Sequence, residues 1–422
     1  MKYIRRFENE SDYQAFRGGG EWITPNIVYI NENSNLHLQP YVEPPYLIIE
    51  ALEDGLTAKL SKNACEYCVD GDRNWKTLAA GTATETINSG QTLFFRGNLT
   101  PASHGGIGTF TINKKCNLKG NCMSMLFGDN AANNFSLSGK SYAFYQLFYN
   151  CTNIVNVSSN FLPATTLASG CYNWMFCGCK NLTTAPELPA TTLTENCYQY
   201  MFQSCANLTT APELPATTLA NSCYSNMFNA CTSLTTIPSI LPATALVGYC
   251  YSNMFRGCSS LTTAPELPAT TLTNSCYSSM FSGCSKLNHI KMLATDLGTN
   301  SLYYWLNGVA SNGTFVKNAA MTSLPTGKDG IPEGWTVVND GEESGGGSNL
   351  ITFTVEGIEF QTEKRMTWEQ FINSEYNDGY YFKMGDQVGY VDRLIALNGI
   401  NVKPSDSIVE MADYTTAGYE GQ

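Results

Sequence analysis

The sequence predicts a multi-domain chain of mixed α/β class, in which a repeat solenoid is flanked by an N-terminal β-sandwich and a small C-terminal α+β module. A motif of 26 residues recurs between residues 143 and 306, and such a period is typical of a solenoid. Short runs in which apolar and polar residues alternate, separated by Gly, Asp and Asn, fill residues 46–115 and predict strands. A hairpin pattern and a helix-start signal follow an acidic, Gly/Ser-rich stretch at residues 340–349.

The repeat is clearest at its anchor leucines, which are 26, 26, 27 and 26 residues apart. Each copy reads L-x-x-A-P-x-L-P-A-T-x-L and then C-Y-x-x-M-F-x-x-C, which indicates an extended stretch followed by a compact, partly helical one. One turn of this length cannot bury its apolar side chains alone. We expect turns stacked about 5 Å apart to align equivalent side chains into ladders. The anchors are Leu182, Leu208, Leu234, Leu261 and Leu287.

The pattern L-T-T-x-P-x-L-P, followed by Y-x-x-M-F-x-x-C-x-x-L, resembles the BspA-like class of leucine-rich repeats. That class is familiar from surface proteins and from proteins of gut Bacteroidetes and their phages. The resemblance covers roughly 165 of the 422 residues. It implies a leucine-rich-repeat solenoid that binds other molecules through a repetitive face, and it implies no single chemistry.

The N-terminal part is expected to contain two pieces. Residues 1–45 are interpreted as an anchoring segment, because F-x-x-x-x-x-Y-x-A-F followed by P-N-I-V-Y resembles the opening of structural proteins in crAss-like and related phages. Residues 46–115 are expected to form the β-sandwich. The turn C-V-D-G-D-R-N-W, ending at Trp75, is a degenerate version of a turn found in sialidase propellers. We interpret it as a hairpin turn with Trp75 packed beneath, in preference to a glycosidase site.

The solenoid domain with its caps is assigned to residues 116–339. Caps are expected because a stack exposes its terminal ladders unless an atypical turn covers them. Residues 116–142 precede the first turn, and S-L-Y-Y-W-L-N-G-V brings bulkier groups to the other end. Trp335 is expected to plug that end.

The C-terminal module is assigned to residues 350–422, beyond a flexible linker at 340–349. The run I-T-F-T-V-E-G-I-E-F-Q predicts a hairpin with Glu356 and Gly357 in its turn. Thr367 followed by W-E-Q predicts a capped helix, and later alternating runs predict strands. The module resembles a small C-terminal domain that recurs on phage tail and surface proteins of gut bacteria.

The net charge and the hydropathy of the sequence argue against two classes of binding partner, nucleic acids and membranes. The formal net charge is −12, which argues against a phosphate-backbone partner and therefore against nucleic-acid binding. No apolar run reaches the length of a membrane span, so no membrane insertion is expected. The opening residues lack the apolar region of a secretory signal, which favours a virion protein assembled in the cytosol over an exported one.

Sixteen cysteines raise the question of disulfides or metal. Eleven of them recur at two fixed positions of the repeat and are interpreted as small buried residues; a disulfide staple or a metal array is the weaker alternative. The Cys65/Cys68 pair has no partner pair at zinc-ribbon spacing. No metal site and no cofactor are therefore predicted. The two columns are Cys171, Cys197, Cys223, Cys250, Cys276 and Cys151, Cys179, Cys205, Cys231, Cys258, Cys284.

The chain carries no recognisable catalytic constellation, and we expect it not to be an enzyme. Its three histidines are far apart in the sequence and lie in no motif. Glu187 and Glu213 recur on adjacent turns and are the best paired carboxylates. A solvated edge is the preferred interpretation of that pair, and a tail-borne polysaccharide-degrading enzyme is the weakest hypothesis.

Binding is better supported, because two columns before each Met-Phe pair vary as solvent-facing positions would. Asn, Gln and Ser with two neighbouring aromatic residues are typical of a glycan-binding face, since sugars stack on rings and exchange hydrogen bonds with amides. Packing of the aromatic residues against the preceding cap is the competing interpretation. The candidate binding residues are Asn173, Trp174, Gln199, Tyr200, Ser225, Asn226, Ser252 and Asn253.

Two functions follow as hypotheses. The first is a structural protein of a phage virion, a tail- or capsid-associated fibre or appendage, whose solenoid binds a host cell-surface glycan or protein. It would contact other virion proteins and form a homo-oligomer. The second is a bacterial cell-surface adhesin or interaction scaffold built from the same repeats.

Overall fold

A computed structural model describes residues 46–341, except 103 and 323, and the backbone of several strands within 28–38 and 351–396. The chain divides into two compact units, Met1–Gly341 and Glu342–Gln422. The anchoring segment expected at residues 1–45 lies outside the described residues, apart from two short strands.

The predicted mixed α/β class is wrong. Within the described ranges, the only α-helix is α1 (Ser124–Phe127), and 3₁₀ helices occur at Gly128–Asn133 and Ser159–Phe161. Strands, single bridges and turns form the rest. The repeats therefore build a β-solenoid, and turns occupy the segments that the pattern predicted to be partly helical.

The first strands build a small pair and a larger sheet. The strand bounds are β1 (Val28–Ile30), β2 (Leu36–Leu38), β3 (Leu47–Ala51), β4 (Ala58–Leu60), β5 (Cys65–Val69), β6 (Lys76–Leu78), β7 (Thr92–Arg96), β8 (Phe110–Ile112), β9 (Cys116–Gly120) and β10 (Ile154–Val157). The larger sheet has the order β10-β9-β3-β7-β5-β6, and β1 pairs with β2 and β4 with β8. All pairs are antiparallel except β9 with β10, which is parallel.

The two faces of the six-stranded sheet bury different side chains, as the alternation along β3 requires. Leu47 and Ile49 face the main core and are fully buried. Ile48 points the other way and packs in a small cluster against which Trp75 is half-buried. The packing expected for Trp75 at the β5–β6 hairpin is therefore confirmed.

The sheet and the solenoid share one hydrophobic core. That core extends without a break from Leu47 in β3 to Trp335 near the end of the first unit. Strand β9 makes the junction, since it pairs with β3 on one side and with β10 on the other. The boundary expected between residues 115 and 116 lies inside this compact unit.

Successive coils of the solenoid are joined by parallel bridges. Thr184 pairs with Thr210, and Thr210 with Thr236, one residue in each coil. Inside, aromatic rings stack coil on coil: Phe176, Phe202 and Phe228 have centroids 5.6 Å apart at each step. The ladders expected from the repeat period are confirmed. A second, unpredicted ladder of stacked tyrosine rings runs beside the phenylalanine ladder and comprises Tyr172, Tyr198, Tyr224, Tyr251 and Tyr277.

The segment between the two cysteines of each copy is a run of tight turns. Its backbone N–H groups alternate between two kinds of acceptor. Met201 N donates to Tyr198 O, three residues back, at 3.2 Å, whereas Phe202 N donates to Met227 O in the next coil at 2.9 Å. A helix would direct every N–H along its own axis. Here half of the donors join the coils to one another, which explains why a helix-like apolar spacing produced no helix.

The far end of the first unit continues the parallel stacking with three strands. They are β11 (His289–Met292), β12 (Thr314–Lys317) and β13 (Thr336–Asn339). Trp305 Nε1 donates to Gly330 O at 2.9 Å, and Trp335 Nε1 donates to Ala310 O at 2.8 Å. Trp335 is buried there, so the plug expected at this end is confirmed.

The second unit is described through strand backbones alone. They are β14 (Ile351–Val355), β15 (Ile358–Thr362), β16 (Lys364–Thr367), β17 (Tyr380–Met384), β18 (Gln387–Val391) and β19 (Ile395–Ala396). β14 and β15 form the expected antiparallel hairpin. The sheets have the orders β14-β15-β19 and β16-β18-β17. The α+β class predicted for this module is not found in its described residues, and the helix expected after Thr367 lies outside them.

Candidate functional site

The eight predicted binding residues lie on the turn runs, but they do not share one environment. Asn173 is 6% exposed, and Ser225 and Ser252 are each 5% exposed. The exposure expected for these three is therefore corrected: they are buried between neighbouring coils. Partial exposure is found for the other five, Trp174, Gln199, Tyr200, Asn226 and Asn253.

The predicted binding residues differ in exposure because the turn runs have a four-residue period. In the run containing Tyr200, two neighbouring core residues, Met201 and Phe202, are followed by Gln203 and Ser204, which are partly exposed. The last residue of each outward pair has a left-handed backbone. Its side chain reaches solvent at Trp174, Asn226 and Asn253, whereas the residue before each of these three is buried.

Trp174 and Tyr200 both occupy left-handed positions, with φ of 60° and 58°. Left-handed backbone costs an L-residue roughly 1–2 kcal/mol, and it is uncommon for a bulky side chain. The next coils place Asn226 and Asn253 at the same position, and Asn tolerates this conformation better than most residues. Trp174 and Tyr200 are therefore costlier choices at this position than the asparagines of the next two coils.

The two rings lie against each other. The Trp174 and Tyr200 centroids are 4.2 Å apart with an interplanar angle of 19°. Tyr149, from the preceding coil, meets Trp174 edge-on at 5.9 Å and 71°. We call these three residues the aromatic shelf. Sequence reasoning missed Tyr149, because it lies in a different repeat column and only the stacking of coils brings it to Trp174.

Amide side chains beyond the shelf are held by neighbouring polar groups. Asn226 Nδ2 donates to Ser225 Oγ and Asn253 Nδ2 to Ser252 Oγ, both at 2.9 Å. Asn229 Nδ2 donates to Asn226 Oδ1, also at 2.9 Å. This part of the surface is thus a set of oriented amides.

Beneath the shelf, Asn173 Nδ2 donates to Gln199 Oε1 at 3.1 Å. The other polar atom of that side chain, Asn173 Oδ1, is buried and has no hydrogen-bond partner in the described part of the chain. An unpaired buried acceptor is costly. Asn173 therefore joins the first two full coils at the expense of one unsatisfied oxygen.

The carboxylates considered for catalysis lie elsewhere on the coils. Glu187 and Glu213 are exposed, and Glu187 N donates to Ser159 O at 2.8 Å. The third repeat carboxylate, Glu266, lies 3.5 Å from Lys291 Nζ, which also pairs with Asp340 at 2.9 Å. Across the described ranges, no group of three or more His, Cys, Asp and Glu side chains is arranged to hold a metal ion.

All sixteen cysteines are buried free thiols. In the second column each Sγ from Cys179 onward donates to a phenylalanine carbonyl of the previous coil, as Cys231 does to Phe202 O at 3.1 Å. Burial raises the pKa of Cys231 to about 12. The interpretation as small buried residues is confirmed for these positions, and the thiols also donate hydrogen bonds between coils.

No helix among the described residues has the length and apolar character needed to cross a membrane. Comparison with protein-family models, with curated proteins and with solved structures found no match to the chain.

Proposed function

We propose that this protein is a non-enzymatic component of a phage virion that binds a host cell-surface glycan through its solenoid. The observation that carries the proposal is the aromatic shelf of Tyr149, Trp174 and Tyr200 beside a surface of oriented amides. The virion part of the proposal rests on the resemblance of the repeat and of both chain ends to phage proteins.

The chemistry of the shelf suits a sugar. The C–H groups of a pyranose carry slight positive charge, and the faces of aromatic rings carry slight negative charge. One face of Tyr200 is covered by Trp174, whereas the same position in the next coil holds the smaller Asn226. A sugar packed on the other face of Tyr200 would lie above Asn226 and Asn229, whose amides can donate and accept hydrogen bonds.

The left-handed backbone of Trp174 and Tyr200 also supports a binding role for the shelf. Ring stacking is worth about 0.5–1.5 kcal/mol, which does no more than offset the roughly 1–2 kcal/mol cost of each left-handed aromatic residue. Folding alone therefore gives little reason to prefer Trp174 and Tyr200 over asparagine. Residues held at such a cost are concentrated at functional sites.

The binding test compares Tyr200→Asn with wild type on a glycan array, followed by calorimetry on the glycans that bind. The substitution introduces the residue that the next coil already carries at this position, so the fold should be retained. Tyr249→Asn is the matched control, because Tyr249 is also left-handed, with φ of 57°, and is 46% exposed, but lies outside the shelf. We expect at least a tenfold loss of affinity for Tyr200→Asn and no change for Tyr249→Asn. Equal affinity in all three proteins would refute the shelf as the binding site.

The location test distinguishes the virion from the alternative, a bacterial cell-surface adhesin or scaffold. Peptide mass spectrometry would be performed on gradient-purified phage particles and on washed envelopes of uninfected host cells. A constant ratio to the capsid protein in particles would support the proposal. Detection in envelopes alone would reject the virion and favour the adhesin. Light scattering of the purified chain tests the proposed homo-oligomer.

A further inference from the structure

The repeat column of Trp174 and Tyr200 changes abruptly in side-chain size along the solenoid. After Tyr200 it continues with Asn226, Asn253 and Ser279, and then with Tyr304. All five residues are partly exposed and left-handed. Four coil steps separate the two tyrosines, a distance of about 20 Å at the spacing of neighbouring strands. We call this row of small polar residues between two aromatic residues the polar trough.

Arg256 lies beside the middle of the polar trough. It is the exposed residue that follows Phe255, and the same position in the preceding coil is Asn229. Asn229 Nδ2 contacts Asn226 Oδ1 at 2.9 Å, which shows that side chains of these two columns meet. Arg256 follows Asn253 by the same three residues, so the side chains of Arg256 and Asn253 also adjoin.

The surroundings of Arg256 leave its charge uncompensated. It is the only charged residue in the turn runs at 222–230, 249–257 and 275–283. No ion pair among the described residues includes it. At the far end of the trough Lys328 Nζ lies 4.1 Å from the Tyr304 ring centroid. The charge of Lys328 is paired with Asp329, whose Oδ2 lies 2.8 Å from Nζ. The trough therefore carries positive charge in a chain whose formal net charge is −12.

We propose that the ligand is a linear acidic polysaccharide lying along the solenoid axis, with a carboxylate or sulfate group bound by Arg256. This inference rests on the proposed function and names its ligand class. An extended β-linked chain advances by nearly one coil per sugar, so successive sugars would meet equivalent amides of successive coils. The planar guanidinium forms paired hydrogen bonds with carboxylate or sulfate oxygens. The oriented amides lower the ordering cost of binding, because their side chains are already fixed by neighbouring serines.

The experiment uses the full chain and pairs of oligosaccharides that differ only in charge. One pair is the β-1,4-linked mannuronate hexamer and β-1,4-mannohexaose, in which a carboxylate replaces a hydroxymethyl group on the same backbone. Sulfated oligomers with their desulfated counterparts on an array provide the second arm. We expect wild type to prefer the acidic member of at least one pair by tenfold or more at low salt. The preference should fall as salt is raised.

Arg256→Asn is the test variant, since Asn229 shows that this column accepts asparagine. Lys286→Asn is the matched control, because it removes one exposed positive charge away from the trough. We expect Arg256→Asn to abolish the preference for the acidic member and Lys286→Asn to keep it, with melting midpoints unchanged in both variants. Preference for carboxylated or for sulfated members identifies which anion the site takes.

Two results would overturn the inference. Equal affinity of wild type for both members of every pair, with binding still dependent on Tyr200, would remove the acidic ligand class and leave the proposed glycan binding intact. An acidic preference that survives Arg256→Asn would remove Arg256 from the site. No binding to any array member would overturn both proposals together.

Discussion

At the residue scale, the stability of the turn runs depends on which residue occupies each position with a left-handed backbone. Gly is the residue best suited to positive φ, since it has no Cβ to clash with the following carbonyl. The last residue of the second outward pair shows this choice: it is glycine in four coils, Gly178, Gly257, Gly283 and Gly308, with φ of 76°, 74°, 79° and 76°. Ala230 holds the same position with φ of 62°.

Ala230→Gly should therefore stabilise the protein. Relief of left-handed strain is worth roughly 1–2 kcal/mol, and the added freedom of glycine in the unfolded chain costs about 0.5–1 kcal/mol. We expect a net gain of about 0.5–1 kcal/mol in the free energy of unfolding, measured by denaturant titration. Ala220→Gly is the control, because φ at that residue is not positive, and it should lose a similar amount. A loss of stability in Ala230→Gly would contradict the strain argument.

The candidate site was predictable at the residue level only in part. Variation between copies correctly pointed to Trp174 and Tyr200 as partly exposed side chains. It could not show that Asn173, one residue earlier, is buried. Sequence variation reports that a position tolerates change, and a polar residue between two coils can vary as freely as one in solvent.

At the scale of the coil, hydrogen bonds between neighbours replace the internal bonds of a helix. Each turn run donates every second N–H to the next coil, and the thiols of the second cysteine column add bonds such as Cys258 Sγ to Phe228 O at 3.2 Å. Stability then depends on contacts between adjacent coils. One coil can be exchanged for another of the same length.

Deleting one whole coil, residues 209–234, should leave a folded protein. The deletion removes 26 residues and joins Leu208 to Thr235, so each ladder loses one member and stays in register. We expect one cooperative thermal transition with a midpoint within about 10 °C of the parent, because only one coil and one interface are lost. Circular dichroism and calorimetry measure it.

Deleting half a coil, residues 209–221, is the matched control. It would place the core residues of later coils out of register with those before them, and cooperative unfolding should be lost. A cooperative transition in this variant, or its absence in the whole-coil variant, would show that the 26-residue stacking unit is wrongly defined.

At the scale of the whole molecule, the interior holds many weak acids in their neutral form. Burial raises the pKa of Cys171, Cys223 and Cys284 to about 12 and raises the pKa of Tyr198 and Tyr224 above the usual range. The folded chain retains these protons at a pH where the unfolded chain, with a thiol pKa near 8.5, has released them. Their contribution to stability is complete below about pH 8.5 and is lost as the pH rises toward 12.

The protein should accordingly unfold at moderately alkaline pH. By pH 9.5 each thiol whose pKa burial raises to about 11 or 12 favours unfolding by about 1.4 kcal/mol. Five column thiols meet this condition and together contribute about 7 kcal/mol, which lies within typical domain stability. They are Cys151, Cys171, Cys223, Cys231 and Cys284. We expect a cooperative transition between about pH 9 and pH 10 by circular dichroism, with thiolate absorbance appearing in the same transition. Thiolate absorbance near pH 8.5 in a chain that stays folded would contradict the buried columns.

The sequence by itself determined the repeat length, the ladders and the short strands of residues 46–115, because apolar spacing and turn residues are local signals. The hairpin of β14 and β15 followed from the same kind of signal. The sequence did not determine whether the Cys-Tyr-x-x-Met-Phe segment would be helical. Two core residues in every four suit both a helix and a run of turns, and the choice depends on acceptors in the neighbouring coil.

Only the tertiary structure decided how the parts join and where the site residues meet. The single core from Leu47 to Trp335 arises because β9 pairs with strands on both sides. The contact of Tyr149 with Trp174 comes from the stacking register. That register is fixed by bonds between residues about 26 positions apart, which no local pattern specifies.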